Sequence, residues 1–285
     1  MPKARRGKQL ANTMNINWTI FPTLLLSFVL YWWGRTAWRR QHDRRHRFAL
    51  LTLAVVIAMP GLLIALYYLH LFDLAAWFYR FRAFPLSELT AAGAGFLAGI
   101  LATAAAGARR ADILILTLLV LGTTIPYLKP VIAPVPSDTF QDRWIQDVCL
   151  QSTPSTCGPA SVATLFRKYG VGLSEKEIAQ TCYTYRGGTE NWYLARLIRA
   201  QGFDVQFLTS LPPSAPIPAP SIAGVRLGGV GHFIPILSVT NGTITTGDPL
   251  VGLETRKTEE ACGHFQFTGF FMKIDKRGET TQSGR

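Results

Sequence analysis

The decisive stretch of the sequence is Gln151-Ser-Thr-Pro-Ser-Thr-Cys157-Gly-Pro-Ala160. It leads into apolar residues at helical spacing, namely Val162, Leu165, Phe166 and Tyr169. Pro159 falls in the first turn of the expected helix, where its missing N–H costs no hydrogen bond. The pattern therefore predicts a helix that begins near Cys157 and carries this thiol at its N-terminus.

The residues that follow predict two more helices and then a run of strands. Ser174 and Glu177 have the spacing of a capping box, and residues 189–201 have a helical pattern that Gly202 ends. Short β-type runs occupy residues 204–208, 221–227, 232–239, 243–247 and 266–274, with the hairpin turn Asn241-Gly242 between two of them. Helices followed by an antiparallel sheet predict an α+β domain over residues 147–285.

Charge divides the chain into two unlike parts. Residues 1–130 hold 15 Lys and Arg against 4 Asp and Glu, a net of +11, whereas the remainder holds 14 against 13, a net of +1. The part able to form a soluble domain is thus nearly neutral, which argues against binding to nucleic acid. An apolar content of 48% with 16% charged residues also excludes a disordered or fibrous chain.

The basic part contains apolar runs of the length needed to cross a lipid bilayer. They cover residues 18–34, 48–72, 86–107 and 111–128, after a basic N-terminal segment over residues 1–17. The first run could also be a signal peptide, but no small-residue cleavage site follows it. Gly95 and Gly99 in the third run have the spacing of a close helix contact. We predict a multi-pass α-helical membrane region of about four spans.

The loop charges give a topology for these spans. Eight Lys and Arg residues flank them on one side and seven on the other, counting the N-terminus, so the positive-inside rule places the C-terminal domain on the extracytoplasmic side. Residues 129–146 begin with a proline-rich stretch and predict a stiff linker between the membrane region and the soluble domain.

The cysteines divide into one special thiol and three ordinary ones. With no C-x-x-C pair and no histidine at ligand spacing, neither a structural zinc site nor any other metal or cofactor is predicted. We expect Cys149, Cys182 and Cys262 to be small buried apolar residues, and a disulfide between two of them stays open. Cys157 differs because a helix N-terminus favours the thiolate form of a cysteine, which is the nucleophilic form.

Gln151 stands six residues before Cys157, across a turn-forming stretch. Its side-chain amide can fold back beside the backbone N–H of Cys157. Two converging donors at a nucleophile form an oxyanion hole, which stabilises the tetrahedral intermediate of acyl transfer. We therefore predict that Gln151 is the side-chain oxyanion donor.

A nucleophilic cysteine needs a base, and the soluble part offers His232 and His264, both within Gly-His-Phe. The Asn241-Gly242 hairpin places the strand of His232 beside Asp248, so this carboxylate can orient the imidazole. His264 has only Asp275 downstream, so we predict that His232 is the base. Pro235 follows three residues later and predicts a local irregularity in that strand.

The stretch from Gln151 to Ala160 is followed in order by Gly188-Thr189, Gly231-His232-Phe233 and Gly247-Asp248-Pro249. Together these motifs resemble the C39 family of cysteine peptidases. The resemblance covers nearly all of residues 147–275. It implies a papain-like fold with Cys157 as nucleophile, His232 as general acid and base, Asp248 as the residue that orients the imidazole, and Gln151 as oxyanion donor. The expected reaction is hydrolysis of a peptide bond through a thioester.

The chain departs from the best-known members of this family in two respects. It has no G-x-x-x-x-G-K-[ST] phosphate loop, so no ATP is expected to bind, and the peptidase follows its spans instead of preceding them. We expect a peptidase of the bacterial inner membrane that acts on a peptide or protein; whether a separate transporter is a partner stays open. A catalytically silent peptide-binding domain and a papain-like amidase or acyltransferase are the alternatives.

Overall fold

The computed structural model describes residues 16–68, 76–105, 109–212 and 214–278, and the first part of this range is helical. The helices there are α1 (Ile20–Arg40), α2 (Arg44–Tyr68), α3 (Ala76–Arg82), a 3₁₀-helix (Ser87–Ala92), α4 (Gly93–Ala104) and α5 (Arg109–Ile132). Nearly all of the basic segment over residues 1–17 lies outside the described residues, as do the predicted span ends Phe72 and Gly107.

The helix ends differ from the predicted spans. Helix α1 reaches Arg40 and α2 starts at Arg44, so most of the arginine-rich loop is helical. Helix α5 continues to Ile132 through Pro126 and Pro130 and so enters the predicted linker. Proline lacks an N–H, but its fixed φ is compatible with a helix, so a helix can continue through it. The proline-rich stretch alone therefore did not mark the end of the helix.

Three helical stretches of the described residues are long and apolar enough to cross a membrane, namely Arg44–Tyr68, Ser87–Ala104 and Arg110–Ile132. The helix over the first predicted span, α1, is not one of them. Its C-terminal half contains Trp32, Trp33, Arg35, Arg39 and Arg40, which lower the mean hydropathy.

Helix α4 packs against its neighbours through glycines. A methyl group on Gly95 would overlap the carbonyl oxygen of Ser27, and one on Gly99 would overlap that of Tyr31. Both partners belong to α1, so the two backbones are in direct contact along this face. The predicted glycine contact is therefore present in the structure.

The C-terminal part is an α+β domain, as predicted. Its elements are β1 (Arg143–Ile145), β2 (Val148–Leu150), α6 (Cys157–Lys168), α7 (Glu175–Thr181), α8 (Asn191–Ala200), β3 (Phe203–Leu208), β4 (Ser221–Leu227), β5 (Val230–Thr240), β6 (Thr243–Asp248), β7 (Gly252–Lys257), α9 (Thr258–His264) and β8 (Gln266–Lys276). Strands β3–β8 form an antiparallel sheet in the order β3-β8-β4-β5-β6-β7.

Short-range signals of the sequence correspond closely to this structure. Ser174 and Glu177 form both hydrogen bonds of a capping box at the start of α7. Asn241 and Gly242 have φ values of 50° and 70°, as a two-residue turn between β5 and β6 requires. Pro235 lies beside a register shift between Ile236 and Ser238 on β5, which is the predicted irregularity. Strands β1, β2 and β7 and helix α9 were not predicted.

The two parts of the chain share one core. Ile64 of α2, Phe78 of α3 and Ala91 of the 3₁₀-helix are buried in the same cluster as Trp192 and Ile198 of α8. The peptidase-like domain therefore buries apolar surface against helices that precede residue 129.

Candidate active site

Cys157 is the first residue of α6, and 9% of its surface is exposed. The residue before it, Thr156, makes no side-chain hydrogen bond to the first turn; its hydroxyl bonds instead to the carbonyl oxygen of Thr153 at 3.0 Å. The side chain of Thr156 thus does not cap the N–H groups of the first turn, which is the end of a helix that attracts negative charge.

His232 and Asp248 lie side by side on neighbouring strands. The imidazole Nε2 is 3.0 Å from Oδ1 of Asp248, and both side chains are buried. The same Oδ1 accepts a hydrogen bond of 2.8 Å from the backbone N–H of Leu250, so the carboxylate is held from two directions. Because Nε2 is bonded to Asp248, Nδ1 is the ring nitrogen left to exchange a proton with a thiol.

A hydrogen bond fixes the helix of the thiol to the strand of the imidazole. The hydroxyl of Ser161 on α6 donates to the carbonyl oxygen of Phe233, next to His232, at 3.1 Å. Burial alone would lower the pKa of His232, but the bond to Asp248 and the interaction with Cys157 outweigh it and raise this pKa to about 9. The ring is therefore charged at neutral pH and can form an ion pair with a thiolate.

Gln151 lies beside the turn that carries Asp248. Its backbone N–H donates to the carbonyl oxygen of Pro249 at 2.9 Å. Its side-chain oxygen is buried and has no hydrogen-bond partner among the residues that the structure describes. The structure thus brings Gln151 next to the Asp248 segment, and its contact with an oxyanion stays a prediction.

Cys157 and His232 open onto one groove with a volume of about 490 Å³. Its lining includes the loop of Arg186, Gly187 and Gly188 and the aromatic residues Phe233 and Phe270. Tyr79 of α3 also lines the groove. Gly188 belongs to a motif named from the sequence, but no local pattern pointed to Tyr79 or Phe270, because their place in the groove follows from tertiary packing.

The remaining cysteines lie apart from this groove, and all four thiols are free. Cys149 and Cys182 are buried as expected, and burial raises the pKa of Cys149 to about 12 and that of Cys182 further. The expectation for Cys262 is wrong, because this residue is exposed on α9, whose buried contact is Ala261.

His264, the other candidate base, ends α9 and packs against Phe265. It is exposed and does not line the groove. Across the described ranges, no cluster of three or more His, Cys, Asp or Glu residues has the arrangement of a metal site. Of the predicted site residues, the structure brings Cys157, His232 and Asp248 together.

Solved structures resemble the C-terminal part at low identity. The peptidase domain of Streptococcus ComA, a bi-functional ABC transporter involved in a quorum-sensing pathway, is 19% identical, with a TM-score of 0.38 over 45% of this chain and 96% of that one. A double-glycine-motif protease from an AMS/PCAT transporter, in complex with its leader peptide, is 20% identical, with a TM-score of 0.40 over 45% and 90%.

Two curated proteins align with part of the chain, and both are described only as uncharacterised. The protein of Methanothermobacter marburgensis is 33% identical over 102 residues, which cover 36% of this chain and 70% of that protein. The protein of Methanothermobacter thermautotrophicus is 31% identical over 117 residues, which cover 39% and 78%. The model of the peptidase C39 family matches residues 146–278, the segment that contains Cys157, His232 and Asp248. The chain belongs, through this segment, to the peptidase C39 family.

Proposed function

We propose that the protein is a membrane-anchored cysteine peptidase that hydrolyses a peptide bond of a peptide or protein substrate. The observation that carries this proposal is the buried hydrogen bond between Asp248 and His232, which lines the same groove as Cys157. A domain that only captured peptides would have no chemical need for this arrangement.

Hydrolysis takes place in two stages. The thiolate of Cys157 attacks the substrate carbonyl carbon, and the carbonyl electron pair moves to the oxygen. The C–N bond then breaks, and the leaving amine takes a proton from Nδ1 of His232. Water next attacks the carbonyl carbon of the thioester and gives a proton to the same nitrogen. The C–S bond then breaks, which releases the carboxylic acid and restores the thiolate–imidazolium pair.

The negative oxygen of each intermediate needs hydrogen-bond donors. We assign this role to the backbone N–H of Cys157 and the side-chain amide of Gln151. The position of Gln151 beside Pro249 supports this assignment, because the backbone bond keeps the residue near the catalytic pair. Loss of such a donor lowers kcat by roughly 100- to 1,000-fold in related chemistry.

Anchoring in a lipid bilayer rests on the three apolar helices Arg44–Tyr68, Ser87–Ala104 and Arg110–Ile132. We propose that they span the bacterial inner membrane and that the peptidase domain faces the extracytoplasmic side, as the loop charges favour. Protease treatment of sealed inside-out vesicles tests the side. A protected domain supports the proposal, and digestion of the domain contradicts it.

The activity is tested by incubation of the detergent-solubilised full chain with a proteome-derived peptide library, followed by mass spectrometry of new termini. We expect cleavage by the wild-type protein and none by Cys157→Ala. The exposed Cys262→Ala is the matched control and is expected to cleave normally, because this thiol lies outside the groove. Peptides retained without cleavage by the wild-type chain would instead indicate a binding domain, and products carrying an added amine would indicate an acyltransferase.

A further inference from the structure

The groove of the peptidase domain is not made by that domain alone. Tyr79 lines it together with Cys157 and His232, yet Tyr79 belongs to α3, more than 60 residues before the family-matched segment. The N-terminal helical region thus supplies part of the surface that a substrate meets.

Tyr79 continues a row of aromatic rings that ends beside the catalytic imidazole. Its ring contacts Phe270 edge-on, with centroids 5.5 Å apart, and stacks on Phe207 at 5.6 Å. Phe270 in turn lies 5.8 Å from Phe233, which directly follows His232. Tyr79, Phe233 and Phe270 are each partly exposed and all line the groove, so their rings present apolar surface to it.

Helix α3 is fixed firmly enough to hold this ring in place. Phe78 is fully buried in the shared core, and the guanidinium of Arg82 lies 5.0 Å from the centre of the Trp192 ring. Arg80 donates to the carbonyl oxygen of Phe207 at 3.4 Å. These contacts tie the residues on both sides of Tyr79 to the peptidase domain.

We infer that Tyr79, Phe233 and Phe270 form an aromatic subsite that binds an apolar side chain of the peptide near the bond to be cleaved. Tyr79 is then a specificity-determining residue that the N-terminal helical region contributes to the peptidase. This inference rests on the proposed function and deepens it, since it names the substrate class as peptides with an apolar, preferably aromatic, residue close to the scissile bond. A ring that packs in such a subsite gains both apolar burial and ring–ring contact.

Two thiol reagents that share one reactive group but differ in size test the subsite. The full chain in detergent is alkylated at Cys157 with iodoacetamide and, separately, with N-benzyl iodoacetamide, and the rate constants are measured by mass spectrometry. The benzyl ring needs a place beside Cys157, whereas iodoacetamide does not. We expect Tyr79→Ala to lower the ratio of the benzyl rate to the iodoacetamide rate about fivefold, because it removes the ring contact.

Two variants separate the subsite from a general effect on the fold. Tyr79→Phe keeps the ring and is expected to keep the wild-type ratio. Trp77→Ala removes an exposed ring of the same helix that does not line the groove, and is also expected to keep it. A ratio in Tyr79→Ala within twofold of wild type, or an equal loss of both rates, overturns the inference.

The iodoacetamide rates also test the proposed function separately from the subsite. If iodoacetamide modifies Cys157 equally fast in the wild type and in His232→Ala, the thiol is not activated and the peptidase proposal fails. The benzyl ratio is independent of that comparison, because both of its rates refer to the same thiol in the same protein.

Discussion

Asp248 holds the imidazole of His232 and also raises its pKa. Asp248→Asn keeps the size of the side chain but removes its charge, so the ring can adopt the wrong tautomer and loses stabilisation of its charged form. We expect kcat/KM to fall by up to roughly 10,000-fold, the loss in kcat seen when the orienting aspartate of a Ser-His-Asp triad is replaced by asparagine. The measurement is peptide cleavage against pH.

The matched control is Asp275→Asn, which removes a carboxylate that is paired with Lys273 at the surface. Its kcat/KM is expected to stay within twofold of wild type. Equal activity of Asp248→Asn and Asp275→Asn would remove Asp248 from the mechanism.

The raised pKa of His232 also links the stability of the fold to pH. Its folded-state pKa of about 9 lies above the unfolded value of 6.5, so the charged ring stabilises the folded protein fully below about pH 6.5. This contribution, about 3 kcal/mol, is lost as the pH rises through 9. We expect the difference in unfolding midpoint between wild type and His232→Gln to shrink between pH 6 and pH 9.5. A difference that is constant or grows over this interval would show that the ring is not charged in the folded state.

Some site residues could be predicted from the sequence and others could not. Local patterns predict the position of Cys157 at a helix start and the hairpin that brings His232 beside Asp248. Both features are set by residues within about twenty positions of each other along the chain. Tyr79 contacts Phe270 across most of the chain, and no periodicity encodes such a contact. The exposure of Cys262 was missed for a related reason, because α9, on which it lies, was not predicted.

Helix α4 shows how one contact joins two helices. A side chain on Gly99 would collide with the backbone of Tyr31 on α1, so Gly99→Leu has to push the helices apart. We expect a loss of at least about 2 kcal/mol of stability, measured as a lower unfolding midpoint in detergent. Gly122→Leu on α5 is the matched control, because no atom lies within 4 Å of the position its Cβ would take. Similar midpoints for the two variants would contradict the close packing of α1 and α4.

The elements that were predicted correctly share strong local signals. Helix α7 has its capping box, and the β5–β6 hairpin has Asn241-Gly242. Strand β7, with the sequence Gly-Leu-Glu-Thr-Arg-Lys, lies at the edge of the sheet and is largely polar, so its pairing with β6 leaves little trace in hydrophobic periodicity. Helix α3 is only seven residues long, too short for a periodic pattern to show.

A buried ion network joins the N-terminal helices to the peptidase domain. Arg196 of α8 lies 2.8 Å from Glu88 of the 3₁₀-helix and donates to the carbonyl oxygen of Arg82 at 2.7 Å. Glu88 is 1% exposed. Removal of the guanidinium of Arg196 would leave this buried carboxylate with Arg82 as its partner, at 3.8 Å. We expect Arg196→Met to destabilise the protein by about 2–3 kcal/mol.

Thermal unfolding measures this effect. Arg277→Met, which breaks an exposed pair with Asp204, is the matched control and is expected to change stability by less than about 1 kcal/mol. If both variants unfold like the wild type, the network does not hold the two parts together.

The shared core also decides which protein should be tested. A fragment that starts at residue 131 would lack Tyr79 and would expose the face of α8 on which Phe78 packs. The chain is therefore best treated as one unit, in which the N-terminal helices complete the groove of the C-terminal domain.

The measurement that tests this account most directly is the rate of alkylation of Cys157 by iodoacetamide between pH 5 and pH 9 in the full chain. We predict that Cys157 reacts at least about tenfold faster than Cys149 and Cys182 near pH 7, as expected for a cysteine held as thiolate by a charged imidazole. We further predict that His232→Ala abolishes this advantage and that His264→Ala leaves it intact. A Cys157 that reacts no faster than the buried thiols, or that is indifferent to His232, would contradict the assignment of this groove as a cysteine-peptidase active site.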